Sequence, residues 1–222
     1  MFFISGSVFA QGPEFLFTWN ADTFIPEWYE GKAFPSYGST LSVSFEIIEK
    51  NGSNKGKLID LSNREIRWYV GGDLARTGVG LQSLRIRNED YPGKSISVRV
   101  SVPNYYDAEL GRSYDVSHYE SIPIVSPRLV GDYQQFDNKL LPGKKMFLSI
   151  HPFFFNGSNE SMRVTWKIGG EEVLVDPSEK YSLYINVPQE IQRGSVFPVE
   201  VSVGQIGKPF SSATFFERFL IE

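Results

Sequence analysis

Apolar and polar residues alternate along most of this chain with a period of two, the repeat of a strand with one buried and one wet face. Leu41, Val43, Phe45 and Ile47 alternate with Ser42, Ser44 and Glu46. Ile96, Val98, Val100 and Val102 run the same way around Arg99, and Phe197, Val199, Val201 and Val203 around Glu200 and Ser202. Leu84-Arg-Ile86-Arg precedes the first of these runs and Tyr181–Val187 the second, while Ser212–Ile221 predicts a closing strand. Helical periodicity is nearly absent, so the pattern predicts an all-β protein.

The strands recur in the same order. Ile66-Arg-Trp68-Tyr-Val-Gly71-Gly72 reads against Val164-Thr-Trp166-Lys-Ile-Gly169-Gly170. Each follows a Gly-led strand, Gly38–Phe45 or Gly143–Ile150, and each precedes a strand ending in Val-Ser-Val, at Val100–Val102 and Val201–Val203. Trp68 and Trp166 stand 98 residues apart, about the length of one β-sandwich domain. The chain therefore reads as two tandem sandwiches of one kind, over residues 14–125 and 126–222, after an apolar leader at 1–13. The tryptophans, with aliphatic neighbours at ±2, read as core residues. Each Gly-Gly reads as a hairpin turn, and Asn51-Gly52 and Asn156-Gly157 mark equivalent loops. Gly38 to Trp68 spans 30 residues and Gly143 to Trp166 spans 23, so the first copy carries seven extra residues, either a specialised loop or a tolerated surface insertion. Pro123 and Pro127 in Ile122–Arg128 predict an edge strand running into a short, stiff linker.

Composition narrows the function classes. Of 222 residues 41% are apolar and 22% charged, with 18 Phe, 11 Tyr and 4 Trp, which favours strands. A net charge of −4 without a dense basic run gives no case for nucleic acid. Cysteine is absent, which removes the Cys…Trp…Cys framework, thiolate metal sites and thiol nucleophiles. Two histidines, His118 and His151, make no cluster. Met1–Ala10 is apolar and ends Val8-Phe9-Ala10, a pattern signal peptidase accepts, although it lacks a basic start. It reads as the tail of a signal sequence or as an ordinary first strand. Only this leader could meet a membrane. No nucleophile-elbow, zinc-protease or phosphate-loop motif occurs, so the reading is non-enzymatic with no cofactor. Calcium at the joint, through Asp115, Asp132 or Asp137, is a weaker reading.

The candidate binding residues are aromatic. Trp19–Tyr37 packs Trp19, Phe24, Trp28, Tyr29, Phe34 and Tyr37 among prolines and turn formers without a regular period. Such rings suit protein contact or sugar stacking. Alternatively, the segment wraps across the open end of the first sandwich and buries them there. Pro152-Phe153-Phe154-Phe155 raises the same question, because three successive rings cannot share one face of a strand. This predicts that at least one of them, Phe154 being the candidate, faces a partner or the neighbouring domain. Asn51, Asn156 and Asn159 each begin an Asn-x-Ser glycan acceptor, usable only where a host has the machinery.

Ala21–Pro35, the Ile122–Arg128 joint, Pro152–Phe155 and Ser211–Phe215 together resemble exported proteins of uncultivated, small-genome bacteria of the candidate phyla. The resemblance runs from about Trp19 to the end and is most specific at the joint. It implies an exported location (extracellular, cell surface or periplasmic) and two Ig-like or PKD-like β-sandwiches, and it assigns no residue a role. The short, uncharged leader departs from that family. The leading expectation is an envelope structural or protein-interaction module, in contact with a protein partner or itself, as in a surface filament. The alternative is a carbohydrate-binding or adhesin module using residues 19–37, which would expose at least two coplanar rings among Trp19, Trp28, Tyr29 and Tyr37.

Overall fold

A computed structural model describes residues 12–50, 55–107, 111–133 and 139–222. The leader through residue 11, residues 51–54 of the expected Asn-Gly loop and Asp137 lie outside the described residues. In the first half the strands are β1 (Glu14–Ala21), β2 (Thr40–Ile48), β3 (Glu65–Val70), β4 (Asp73–Val79), β5 (Ser83–Arg87), β6 (Ser95–Asp107) and β7 (Arg112–Pro123). They form a three-stranded sheet β1-β2-β5 and a four-stranded sheet β4-β3-β6-β7. The alternating sequence does what its period requires: Val43, Phe45 and Ile47 of β2 and Val98, Val100 and Val102 of β6 are almost fully buried. Phe17 and Phe45 meet Trp68 at 6.2 and 5.5 Å between ring centroids, joining the two sheets. Phe15 and Phe17 close the same core on His118 of β7. In β6 the alternation slips by one residue at Pro103, where Asn104 turns to φ +52 and donates its N–H to Asp115 Oδ1.

The second half repeats this order with β8 (Arg128–Tyr133), β9 (Lys139–Leu140), β10 (Lys145–Phe153), β11 (Met162–Ile168), β12 (Glu171–Val173), β13 (Ser182–Asn186), β14 (Val196–Gln205) and β15 (Lys208–Ile221). Sheet β13-β10-β8 packs on sheet β12-β11-β14-β15-β9. Met146, Leu148, Ile150 and Ile185 from one sheet interlock with Trp166, Val199, Val201, Phe219 and Ile221 from the other. Apart from β9, which adds to β15 in parallel, strand orders in the two halves correspond one for one. The chain is thus all-β, two tandem sandwiches with an Ig-like, fibronectin III-like arrangement.

Both repeats turn on the same local devices. Gly71-Gly72 (φ +63, +99) and Gly169-Gly170 (φ +62, +94) are two-residue hairpins, and positive φ at both central positions is why glycine stands there twice. Trp68 and Trp166 are fully buried, and each donates its indole N–H to a backbone carbonyl, Leu81 O at 2.8 Å and Lys180 O at 2.9 Å. β7 is an edge strand and ends at Pro123, as the two prolines of the joint require.

Packing divides the chain into two compact units. One holds the described residues through Trp19 with Ser42–Ile86 and Ser95–Ile122; the other holds Asn20–Leu41, Arg87–Lys94 and Pro123–Glu222.

Replacing Trp68 or Trp166 by Phe keeps most of the ring but leaves its carbonyl acceptor without a donor. Each substitution is expected to cost about 1–3 kcal/mol in urea unfolding followed by circular dichroism. An unchanged midpoint would show that these carbonyls are satisfied by solvent.

Candidate binding surface

The aromatic site in the second unit starts from β10. Its inward residues, Met146, Leu148 and Ile150, enter the core, so Phe147, Ser149, His151 and Phe153 stand on the opposite face. The neighbouring strands bring Tyr184 beside Phe147, Asp132 and Ser182 beside Ser149, Val130 beside His151 and Arg128 beside Phe153. At Phe154 the backbone leaves the strand with φ +63, a conformation bulky residues rarely adopt. Its N–H donates to Phe24 O at 2.6 Å, and Phe24 N–H donates to Phe155 O at 2.7 Å. This reciprocal pair holds the left-handed turn open.

The turn removes the alternation on which the Phe-Phe-Phe expectation rested. Phe153, Phe154 and Phe155 are all buried, at 3%, 3% and 0% exposure, within the second unit. Phe155 joins Met162 and Val203 in a small core that also packs Phe24. Phe153 and Phe154 are covered by Tyr29 (centroids 5.2 and 6.5 Å), and Phe34 meets Phe154 edge-on at 5.6 Å. The Arg128 guanidinium lies 5.5 and 5.2 Å from the two ring centroids. The lead-in segment therefore buries rings on the Phe153–Phe154 corner, where one of the two sequence readings had it wrapping the first sandwich. Its own bonds shape it: Thr23 Oγ1 donates to Phe34 O, Ala21 N–H to Ala33 O and Tyr29 N–H to Pro26 O.

The seven candidate residues separate by environment. Trp28, Tyr29, Phe34 and Phe154 come together. Trp28 remains 61% exposed while standing edge-on to His151 at 5.2 Å and Phe153 at 6.0 Å. Phe24 is half-buried and serves mainly through its backbone. Tyr37 belongs to a second group, stacked on Tyr91 at 5.1 Å and edge-on to Phe210 at 4.9 Å. Trp19, half-buried on β1, lies in the other unit. His151, Arg128, Tyr91 and Phe210 were missed from sequence. The signal that could have found His151 is its outward position on a strand whose inward positions are apolar. Asn156 is no open glycan acceptor: it is buried, with Nδ2 donating to Tyr37 O.

Shifted ionisations among the described residues trace to structure. Burial pushes the Tyr181 phenol up to about 12; its hydroxyl donates to Asn159 Oδ1. Burial also raises Tyr105, which donates to Glu49 Oε2. Burial lowers Lys180, whose ammonium donates to the Asn159 and Met162 carbonyls. No three His, Asp or Glu side chains among the described residues converge to hold a metal. The described surface is that of a β-sandwich module, and no helix in it is long and apolar enough to cross a membrane.

No protein-family model matches the sequence, and no curated protein is significantly similar to it. Among solved structures, the fibronectin(III)-like modules of Clostridium thermocellum CbhA are 11% identical at TM-score 0.31, over 90% of this chain and 94% of theirs. Three N-terminal domains of the bacteriophage RB49 outer capsid protein Hoc are 13% identical at TM-score 0.32, over 94% and 70%. Bacteroides ovatus SGBP-B, solved with a mixed-linkage heptasaccharide, is 14% identical at TM-score 0.27, over 95% of this chain and 47% of that one. Similarity at this level passes no ligand, partner or residue role to the present chain.

Two tests follow from this geometry. Phe154→Ala is expected to lose about 3–5 kcal/mol of stability, and Trp28→Ala about 1 kcal/mol, in chemical denaturation. Equal losses would mean that Trp28 is structural. Separately, an unfolded tyrosine ionises near 10.0 whereas folded Tyr181 holds its proton to about 12. Stability should therefore fall as pH rises through that window, and less steeply in Tyr181→Phe. A tyrosinate absorbance titration of the folded protein should show a late step that this variant lacks.

Proposed function

We propose that this chain is a non-enzymatic structural and protein-interaction module, exported to the cell surface, extracellular space or periplasm. In chain order its two sandwiches are taken as residues 14–125 and 126–222, with the Pro123–Arg128 joint between them in sequence, and the lead-in Asn20–Leu41 packs within the second compact unit. The protein partner docks on the outer face of sheet β13-β10-β8, with Trp28 as its anchor. The observation that carries this reading is Trp28 itself. It is a large ring, 61% exposed, yet held edge-on by His151 and Phe153. A rigid exposed aromatic loses little side-chain freedom on binding, which is why tryptophan and tyrosine dominate interface energetics. Tyr184 at 67% and Val130 at 42% extend the apolar surface along the same face. The resemblance to exported two-domain proteins of candidate-phyla bacteria supports the location, as does the signal-like apolar leader.

A second reading, carbohydrate binding or adhesion, draws on the same face, where Asp132, Ser149 and Ser182 offer hydroxyl partners near the rings. A photo-crosslinking residue at position 28, in the native host or its envelope fraction, discriminates. The expected result is a discrete protein adduct or a self-adduct, absent when the crosslinker is moved to exposed Leu74 of β4. Equal labelling from both positions would overturn the protein reading. Retardation by an envelope polysaccharide in affinity electrophoresis, lost in Trp28→Ala, would replace it with the glycan one.

A further inference from the structure

Tyr37 and Phe210, which with Tyr91 form the second ring cluster of this unit, border a cavity of about 190 Å³. Tyr37, Arg87, Asn156, Lys208 and Phe210 line it. A volume below the roughly 300 Å³ of a drug-sized pocket takes one side chain or one ring. The site is rigid before anything enters. Asn88, 2% exposed, donates its side-chain amide to Ser36 O at 2.8 Å and to Asp90 O at 3.2 Å. Its backbone pairs with Gly38 and Ser39. It thereby ties the turn carrying Tyr37 to the loop carrying Tyr91, and Lys94 closes that loop on Asp90 at 2.7 Å. Asn156 fixes the floor: it receives Lys208 Nζ on its backbone carbonyl and on Oδ1, and donates Nδ2 to Tyr37 O. Gly38 (φ +76) leaves room there, since a Cβ would lie 2.8 Å from Asn156 Nδ2.

The charges are one-sided. The Lys208 ammonium is held by neutral oxygens, so its charge is unbalanced locally. The exposed Arg87 guanidinium makes no hydrogen bond or ion pair with the described residues, and no carboxylate is among the residues lining the cavity. Phe210, a lining residue, is 51% exposed, and Tyr91, at 49%, packs against it and Tyr37. Two cations lining one cavity with an exposed aromatic ring call for a carboxylate joined to an apolar group. A neutral sugar fits poorly, because its hydroxyls need acceptors, and the Asn156 carbonyl and amide oxygens already serve Lys208.

We propose that this cavity is the specificity pocket for an acidic side chain of the protein partner, with a neighbouring apolar residue packing on Phe210 and Tyr91. The assignment rests on the protein-interaction reading but uses none of the residues around Trp28. The test titrates the full chain, followed by amide NMR shifts. The probes are a capped tripeptide with a central glutamate between two phenylalanines, its glutamine counterpart, and an oligomer of glucuronic acid. The glutamate peptide should shift the amides of Gly207, Ser211 and Gly38. It should bind about tenfold tighter than the glutamine peptide, or than it does to Arg87→Gln. Added salt should weaken it. Phe210→Ala should weaken both peptides. Equal binding of the two peptides, or unchanged binding in Arg87→Gln, overturns the proposal. So does tighter binding of the glucuronate oligomer, which would make the pocket one for acidic glycans. The titration reads nothing of Trp28, so failure here and failure of the docking face are told apart.

Discussion

Each sandwich depends on one buried indole. Filling the space between two sheets with a tryptophan removes a large apolar area from water, but it also carries an N–H that must find an acceptor. Leu81 and Lys180 supply that acceptor from backbone 13 and 14 residues downstream. The bond couples the tryptophan strand, β3 or β11, to the connection leading into β5 or β13. Burial of the ring, register of the hairpin after it and path of the following chain are thus set together. The paired glycines close that hairpin in two residues, leaving the tryptophan little freedom to leave the core.

The surface of the second unit follows from a different constraint, the positive φ at Phe154. A strand that continued regularly would have pointed one of three consecutive phenylalanines at solvent. The left-handed residue redirects the chain so that all three are covered, and the cover is the lead-in segment, joined through Phe24 by two backbone bonds to Phe154 and Phe155. The covering segment then carries Trp28 outward on a fixed base. An aromatic-rich stretch with no periodicity thereby becomes ordered without becoming a strand.

The strands, their order and the core tryptophans were legible because they rest on local periodicity and on a repeated motif, both written in neighbouring residues. So were the Gly-Gly hairpins, where only the absence of a side chain permits the backbone. The grouping of the candidate residues was not legible. Tyr37 and Phe210 lie 173 positions apart in the chain, and nothing near either announces the other. Asn88 and Asn156, which hold the second ring cluster in place, look like ordinary loop asparagines until their amides are seen buried and bonded.

What the sequence by itself determined, then, is an architecture. A two-residue period with apolar residues on one phase can only bury one face, and two copies of the pattern make two sandwiches. Only the tertiary structure decided which aromatics close a core and which remain exposed. That choice turns on a single backbone inversion at Phe154 and on long-range hydrogen bonds, and neither leaves a periodic trace in the order of residues.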